Sequence, residues 1–354
     1  MLARSTGPFD HFQSHCLIGY KQAMNDKPHA HHSPSQPRQR STLERVLRWV
    51  GSITAVLSLI FGIQQLVQAI TENNANEREI TELKQLAAVQ LDSGEYAMAW
   101  DSANAALKLA ATDGTLAKLF GRMDAQTKQL RVVRENVAMA WVDDMHTSGE
   151  QKFSDFVDKL LPALEQGTIT AEPQRKADLL AHIGWCSFLR SRDGARIDPR
   201  RSYEQALQID RTNPYAHAYL AHWLVWNGGT FEEANEHFAA ALNTNRARET
   251  VRTLQIASYG NRQSEGDASY VATIVAMLSN HERIDPDWRH RALWHFARAC
   301  GRSPNAELLA DLKKRLAPTA LLAAFELLQN SPGEKVSQDE NQTKQITACL
   351  AAAK

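Results

Sequence analysis

Apolar and polar positions after residue 72 follow the period of an α-helix. The run NEREITELKQLAAVQLDSGEYAMAWDSANAALKLA, over residues 76–110, is typical, and no convincing strand-like alternation appears downstream. Helix start and stop signals recur, such as Asp285-Pro286 before WRHRALWHFARAC and Gly301 after it. Because the segments between these signals are short, the pattern predicts an all-α fold of antiparallel helix pairs.

One stretch departs from this amphipathic pattern. Trp49–Thr71 contains no Asp, Glu, Lys or Arg, in a chain in which 23% of residues are charged. As an α-helix it would reach about 34 Å, enough to cross a hydrocarbon core of roughly 30 Å. The leader before it is longer than that of a cleaved secretory signal, so we expect an uncleaved signal anchor. Arg45 and Arg48 flank its start and favour a cytoplasmic N-terminus.

These features divide the chain into four parts. Residues 1–44 mix Ser, Pro, Gln, His and Arg without periodicity and are predicted to be a disordered tail. Residues 45–71 are predicted to form a single transmembrane helix, residues 72–330 a helical domain, and residues 331–354 a C-terminal tail. We therefore expect a single-pass protein of the bacterial inner membrane, with the helical domain outside, in the periplasm.

Within the uncharged stretch, small residues fall on one face of the predicted helix. They are Gly51, Ala55, Ser58 and Gly62. Small residues in one stripe let two membrane helices approach closely, so a homodimer is one hypothesis. The alternative is that small residues are simply ordinary in membrane helices.

Three segments repeat a glycine followed by aromatic and alanine positions. GEYAMAWDSANAAL begins at Gly94, GARIDPRRSYEQAL at Gly194 and GTFEEANEHFAAAL at Gly229. The segments resemble the turn and second helix of the tetratricopeptide repeat, a helix-turn-helix unit. The resemblance is clearest over residues 79–110 and 176–245, and it implies an α-solenoid. Residues 111–175 and 246–330 are either degenerate repeats or a separate bundle.

The resemblance also implies a concave groove lined by the first helix of each pair. Aligning the copies on their glycines, with three residues inserted in the loop SRDGARID, puts Trp185 and Trp223 at the same groove-facing position. Helical spacing puts further groove candidates beside Trp223: Tyr219, Trp226 and Asn227. The resemblance thus implies a peptide or protein as partner. The competing interpretation is that these rings fill the interior of a short solenoid.

Charge and motif content give no support for other functions. Forty basic and forty acidic residues cancel, so overall charge does not favour nucleic acid. The four cysteines lack CxxC spacing and are interpreted as isolated small hydrophobic residues. The adjacent carboxylates Asp143 and Asp144 are interpreted as solvated. His182 and Cys186 share a helix face but lack further metal ligands, so a helix interface is the preferred interpretation.

No phosphate-binding, dinucleotide-binding, zinc-protease or serine-hydrolase motif is present. We therefore expect a non-catalytic scaffold with no cofactor and no metal. Two alternatives stay open. One is a structural homo-oligomer, and the other is a sensor or enzyme domain in the unassigned helices, which a deep polar pocket among residues 115–175 would favour.

Overall fold

A computed structural model describes residues 42–112, 122–145, 152–259, 264–317, 319–330 and 340–353. Within these ranges the regular secondary structure is entirely helical, which confirms the all-α class. The helices are α1 (Thr42–Asp92), α2 (Tyr96–Thr112), α3 (Arg122–Met145), α4 (Ser154–Thr170), α5 (Pro173–Arg192), α6 (Arg200–Ile209), α7 (Pro214–Trp226), α8 (Phe231–Leu242), α9 (Arg248–Tyr259), α10 (Ser264–Ser279), α11 (Pro286–Cys300), α12 (Ala306–Leu316), α13 (Leu321–Asn330) and α14 (Glu340–Ala352).

The chain divides into two compact units, residues 1–66 and residues 67–354. The described part of the first unit is the beginning of α1. The large apolar side chains described there, from Leu57 to Leu66, are exposed, with Leu59 at 64% and Phe61 at 63%. No helix in the described part of the chain is long and apolar enough to cross a membrane. The predicted tail lies outside the described residues, apart from its last three positions, which begin α1.

The predicted small-residue stripe falls on α1. Ser58 is exposed, and a side chain added at Gly62 would meet nothing within 4 Å. The surroundings of Gly51 and Ala55 are not described. Association through the stripe therefore stays a prediction.

The second unit is built by packing between helices that are neighbours in sequence. Each helix from α3 to α12 contacts the next one, and several also contact the next but one. The next-but-one contacts include α3 with α5, α5 with α7, and α7 with α9. Their buried side chains form one continuous core that extends to α14, with a smaller cluster where α1, α2 and α3 meet. This arrangement brings the odd-numbered helices α3, α5, α7 and α9 side by side.

Glycine turns join several of these pairs. Gly94, Gly194 and Gly228 adopt positive φ angles of 75°, 95° and 81°, a conformation that glycine adopts without steric cost. The third turn glycine is therefore Gly228, whereas the sequence alignment assumed Gly229. Gly229 instead packs closely against Leu224, because a Cβ atom there would lie 2.9 Å from the Leu224 side chain.

Helices α5 and α6 approach closely where Gly184 faces Tyr203. A Cβ atom at Gly184 would come within 2.5 Å of the Tyr203 ring, which is completely buried. The absence of a side chain at Gly184 thus leaves room on α5 for an aromatic ring of α6.

The C-terminal segment is not a tail throughout. Residues 340–352 form α14, which packs on α11 and α13 and buries Ile346 and Leu350. A disulfide between Cys300 and Cys349 joins α11 to α14. The interpretation of all four cysteines as isolated residues is therefore wrong for this pair.

Candidate binding cleft

The second unit carries a cleft of about 330 Å³ formed by the ends and faces of five helices, α2, α3, α5, α7 and α9. Its lining combines acidic, hydroxyl and aromatic side chains. The lining residues are Tyr96, Ala140, Asp143, Asp144, Trp185, Tyr219, Glu249, Thr250, Thr253 and Leu254.

Three lining residues come from alternate helices and lie at a constant spacing along the chain. Trp185 on α5, Tyr219 on α7 and Thr253 on α9 are equally spaced along the chain, at the period of about 34 residues that tetratricopeptide repeats have. The structure thus pairs Trp185 with Tyr219 and not with Trp223.

Two buried, stacked aromatic rings form the floor of the cleft. Trp185 and Tyr219 are each 1% exposed and stack with ring centroids 4.8 Å apart. The Trp185 indole Nε1 donates to the backbone oxygen of Val142 at 2.9 Å, which ties α5 to α3. Both rings therefore belong to the core, and they contribute a floor to the cleft rather than free side chains.

Asp143 is held at the cleft by groups from two other helices. The Tyr219 hydroxyl donates a short hydrogen bond to Asp143 Oδ1. Burial raises the pKa of Tyr219 well above 10, with further contribution from Asp143, so the hydroxyl keeps its proton. His182 Nε2 lies 3.5 Å from the same carboxylate oxygen. The adjacent pair that the sequence suggested was solvated, Asp143 and Asp144, instead faces a common cleft.

The cleft is acidic. Asp143, Asp144 and Glu249 supply three carboxyl groups, and no lysine or arginine is among the described lining residues. Burial together with Asp144 and Asp143 raises the pKa of the Tyr96 hydroxyl, as expected where negative charge disfavours a phenolate. A cationic or hydrogen-bond-donating ligand would meet complementary groups here.

A second cleft of about 620 Å³ adjoins the first and shares Glu249 and Thr253 with it. Its wall carries Arg248 and Arg252, which both bind the Glu282 carboxylate. These two arginines hold the pKa of Glu282 below its usual value, although burial alone would raise it. The two clefts together form a groove whose acidic part lies at the α2–α3 end.

The remaining predicted groove residues lie elsewhere. Trp223 is half-buried, with the Arg200 guanidinium 4.7 Å from its ring centroid. Trp226 is 37% exposed and lies 5.7 Å from the Arg192 guanidinium. The Asn227 side chain donates to the Trp223 backbone oxygen at 2.8 Å and so continues the end of α7. None of the three is among the residues that line the acidic cleft.

Residues of the unassigned helices also form a depression of about 560 Å³ between α3, α4 and α5. It contains Lys128, Arg131 and the ion pair of Arg175 with Glu135, whose N–O distance is 2.6 Å. In the described ranges no three His, Cys, Asp or Glu side chains are grouped as metal ligands. Burial and the nearby Asp143 raise the pKa of the Cys186 thiol far above its usual value, which makes it a poor thiolate ligand.

Sequence reasoning missed Tyr96, Glu249 and Thr253 as cleft residues. The signal that could have found Thr253 is the constant spacing from Trp185 through Tyr219. No protein-family model, no curated protein and no solved structure matches this chain, so the geometry of the cleft is the basis for assigning its function.

Proposed function

We propose that the protein is a non-catalytic, tetratricopeptide-like α-solenoid scaffold whose acidic cleft binds a lysine- or arginine-bearing segment of a partner protein. The observation that carries the proposal is the cleft itself, with three carboxyl groups, two hydroxyl-bearing threonines and a stacked aromatic floor. Aromatic surfaces and carboxylates both attract ammonium and guanidinium groups. Packing of helices on their sequence neighbours, with matched positions one repeat apart, supports the solenoid.

The Cys300–Cys349 disulfide supports the proposal that the helical domain lies outside the cytoplasm. Disulfides persist mainly in oxidising compartments such as the periplasm, and Cys300–Cys349 joins two packed helices. This agrees with the orientation expected from the flanking arginines.

The binding proposal can be tested with a short fluorescein-labelled oligo-lysine peptide and an oligo-glutamate peptide of equal length. We expect the full chain to bind oligo-lysine more tightly than oligo-glutamate, and its affinity for oligo-lysine to fall as the salt concentration rises. Glu249→Gln should weaken binding several-fold, since this exposed carboxylate borders both clefts. Glu307→Gln, an exposed substitution on α12, serves as the matched control and should leave binding unchanged. Equal binding of both peptides, or equal effects of both variants, would contradict the proposal.

The partner-binding roles predicted for Trp223, Trp226 and Asn227 stay predictions. Trp223→Ala in the same assay separates two interpretations. Lost peptide binding at unchanged thermal stability would support a binding role, whereas unfolding would show that the ring is part of the core.

A further inference from the structure

A buried histidine lies directly behind the acidic cleft. His182 on α5 is 1% exposed, and its Nδ1 atom lies 2.7 Å from the backbone oxygen of Asp178. Its Nε2 atom is buried, has no hydrogen-bond partner within the described part of the chain, and lies 3.5 Å from Asp143 Oδ1. The second nitrogen of this ring therefore faces the carboxylate that lines the cleft.

The two contacts restrict the proton positions on the ring. A backbone carbonyl only accepts hydrogen bonds, so Nδ1 of His182 must carry a hydrogen. In a neutral imidazole, Nε2 would then carry a lone pair instead of a hydrogen. This lone pair would point at the Asp143 carboxylate oxygen, which can only accept hydrogen bonds. A doubly protonated ring removes this repulsion, because Nε2 then presents a hydrogen to the carboxylate.

Titratable groups face His182 from three directions. Asp143 faces it from α3, and Tyr215 and Tyr219 face it from α7 with ring centroids 4.6 Å and 5.4 Å away. On its own helix the Asp178 carboxylate accepts from Asn213 and Arg246, at 2.7 Å and 2.5 Å.

The balance of these groups favours the charged ring. Burial by itself would lower the pKa of His182, but the charge of Asp143, its contact with Nε2 and the bond to Asp178 raise it above 6.5 overall. Burial raises the pKa of Tyr215 to about 12 and that of Tyr219 well above its usual value, so neither tyrosine supplies a competing negative charge.

We propose that His182 is an imidazolium that holds Asp143 in place and sets the charge of the cleft, so that the cleft's preference for a cationic side chain depends on pH. The binding part of this inference rests on the proposed function, whereas the charge state of His182 does not. His182 is a positioning residue, because it is buried behind Asp143 and is not among the lining residues. Its positive charge opposes a cationic ligand, so loss of its proton should strengthen binding.

The charge state can be measured by NMR titration of the full chain labelled at histidine ¹³Cε1. The His182 signal is assigned by its loss in His182→Gln. We expect a His182 pKa above 6.5 in the wild type and a lower His182 pKa in Asp143→Asn. The control is His290→Gln, an exposed substitution on α11, which should leave the His182 pKa unchanged. A His182 pKa at or below 6.5 in the wild type, or an unchanged His182 pKa in Asp143→Asn, would overturn the proposal. Both outcomes can be read even if His182→Gln or Asp143→Asn is less stable than the wild type.

Binding of the oligo-lysine peptide across the same pH range tests the consequence. We expect the wild-type affinity to rise several-fold as His182 loses its proton, and His182→Gln to abolish this rise. A flat wild-type profile would overturn the link between His182 and ligand charge. A peptide that does not bind at any pH would contradict the proposed function, and the NMR titration would still decide the charge state.

Discussion

Asn213 is completely buried and performs two tasks at once. Its side-chain oxygen accepts from Ala216 N at 2.9 Å and caps α7, while its Nδ2 donates to Asp178 at 2.7 Å. Asp178 also binds Arg246, which lies 3.6 Å from Asp210. This one residue therefore fixes the start of α7 relative to α5, the two helices that supply the aromatic floor of the cleft.

We expect Asn213→Ala to lower the free energy of unfolding by about 2–4 kcal/mol, because the cap is lost and the Asp178 carboxylate loses a buried donor. Asn305→Ala is the matched control. Asn305 caps α12 in the same way, its side-chain oxygen accepting from Leu308 N at 3.0 Å, and no carboxylate of the described residues contacts its side chain. Its loss should cost only about 1 kcal/mol. Equal losses in guanidinium unfolding would show that the Asp178 bond adds nothing.

Residue identity predicted some of this site and missed the rest. Trp185 and Tyr219 were recognised as aromatic groove candidates, but matching tryptophan with tryptophan selected Trp223, which lies one helical turn past the repeat position. The sequence also contains two adjacent glycines, and only the backbone shows that Gly228 takes the positive φ. A one-residue error at the turn changes which side chain faces the cleft.

Among the helices, α14 is the one most dependent on a single covalent bond. It carries two buried apolar residues, Ile346 and Leu350, and its contacts are with α11 and α13. A helix of this length is marginal on its own in water, so packing and the disulfide together hold it in place.

We expect Cys349→Ala to destabilise the chain by about 2–4 kcal/mol, a typical contribution for a native disulfide. Hydrogen exchange should show faster exchange in α14, with little change at α5 and α7. Cys186→Ala is not a suitable control, because Cys186 is buried in the core. Reduction of the wild type with dithiothreitol breaks the same disulfide without a substitution and provides the second measurement. Unchanged exchange in α14 after both treatments would contradict this role.

Periodicity predicted the existence and type of most helices because each buries one apolar face. The C-terminal helix escaped recognition because its apolar face is short and its partner cysteine is distant in sequence. Pairings between distant residues, such as Cys300 with Cys349 or Tyr219 with Asp143, depend on how the helices stack. Local sequence pattern does not specify this stacking.

At the scale of the whole molecule, the membrane location expected for this chain depends on α1. Leu59 and Phe61 are exposed apolar side chains within the uncharged stretch. No described helix is long and apolar enough to span a membrane, so the anchor predicted over residues 45–71 stays a prediction, and it has a direct test.

We expect the wild-type chain to stay with membranes after alkaline carbonate washing, and the double variant Leu59→Lys with Phe61→Lys to be released. Each lysine near the middle of a membrane helix raises the free energy of membrane insertion by about 2.5–3.5 kcal/mol. Val89→Lys, at an equally exposed apolar position of the same helix beyond Thr71, should remain bound. Extraction of the wild type by carbonate would contradict an integral anchor.

The equal spacing of Trp185, Tyr219 and Thr253 has a consequence for the polarity of anything that binds along the groove. The three positions change from indole to phenol to a small hydroxyl, and the carboxyl pair of α3 stands at one end while the arginines on Glu282 stand at the other. A bound chain would therefore meet a different chemistry at each end. If the groove binds a peptide as proposed, it should distinguish that peptide from one of reversed sequence and hold it in a single direction.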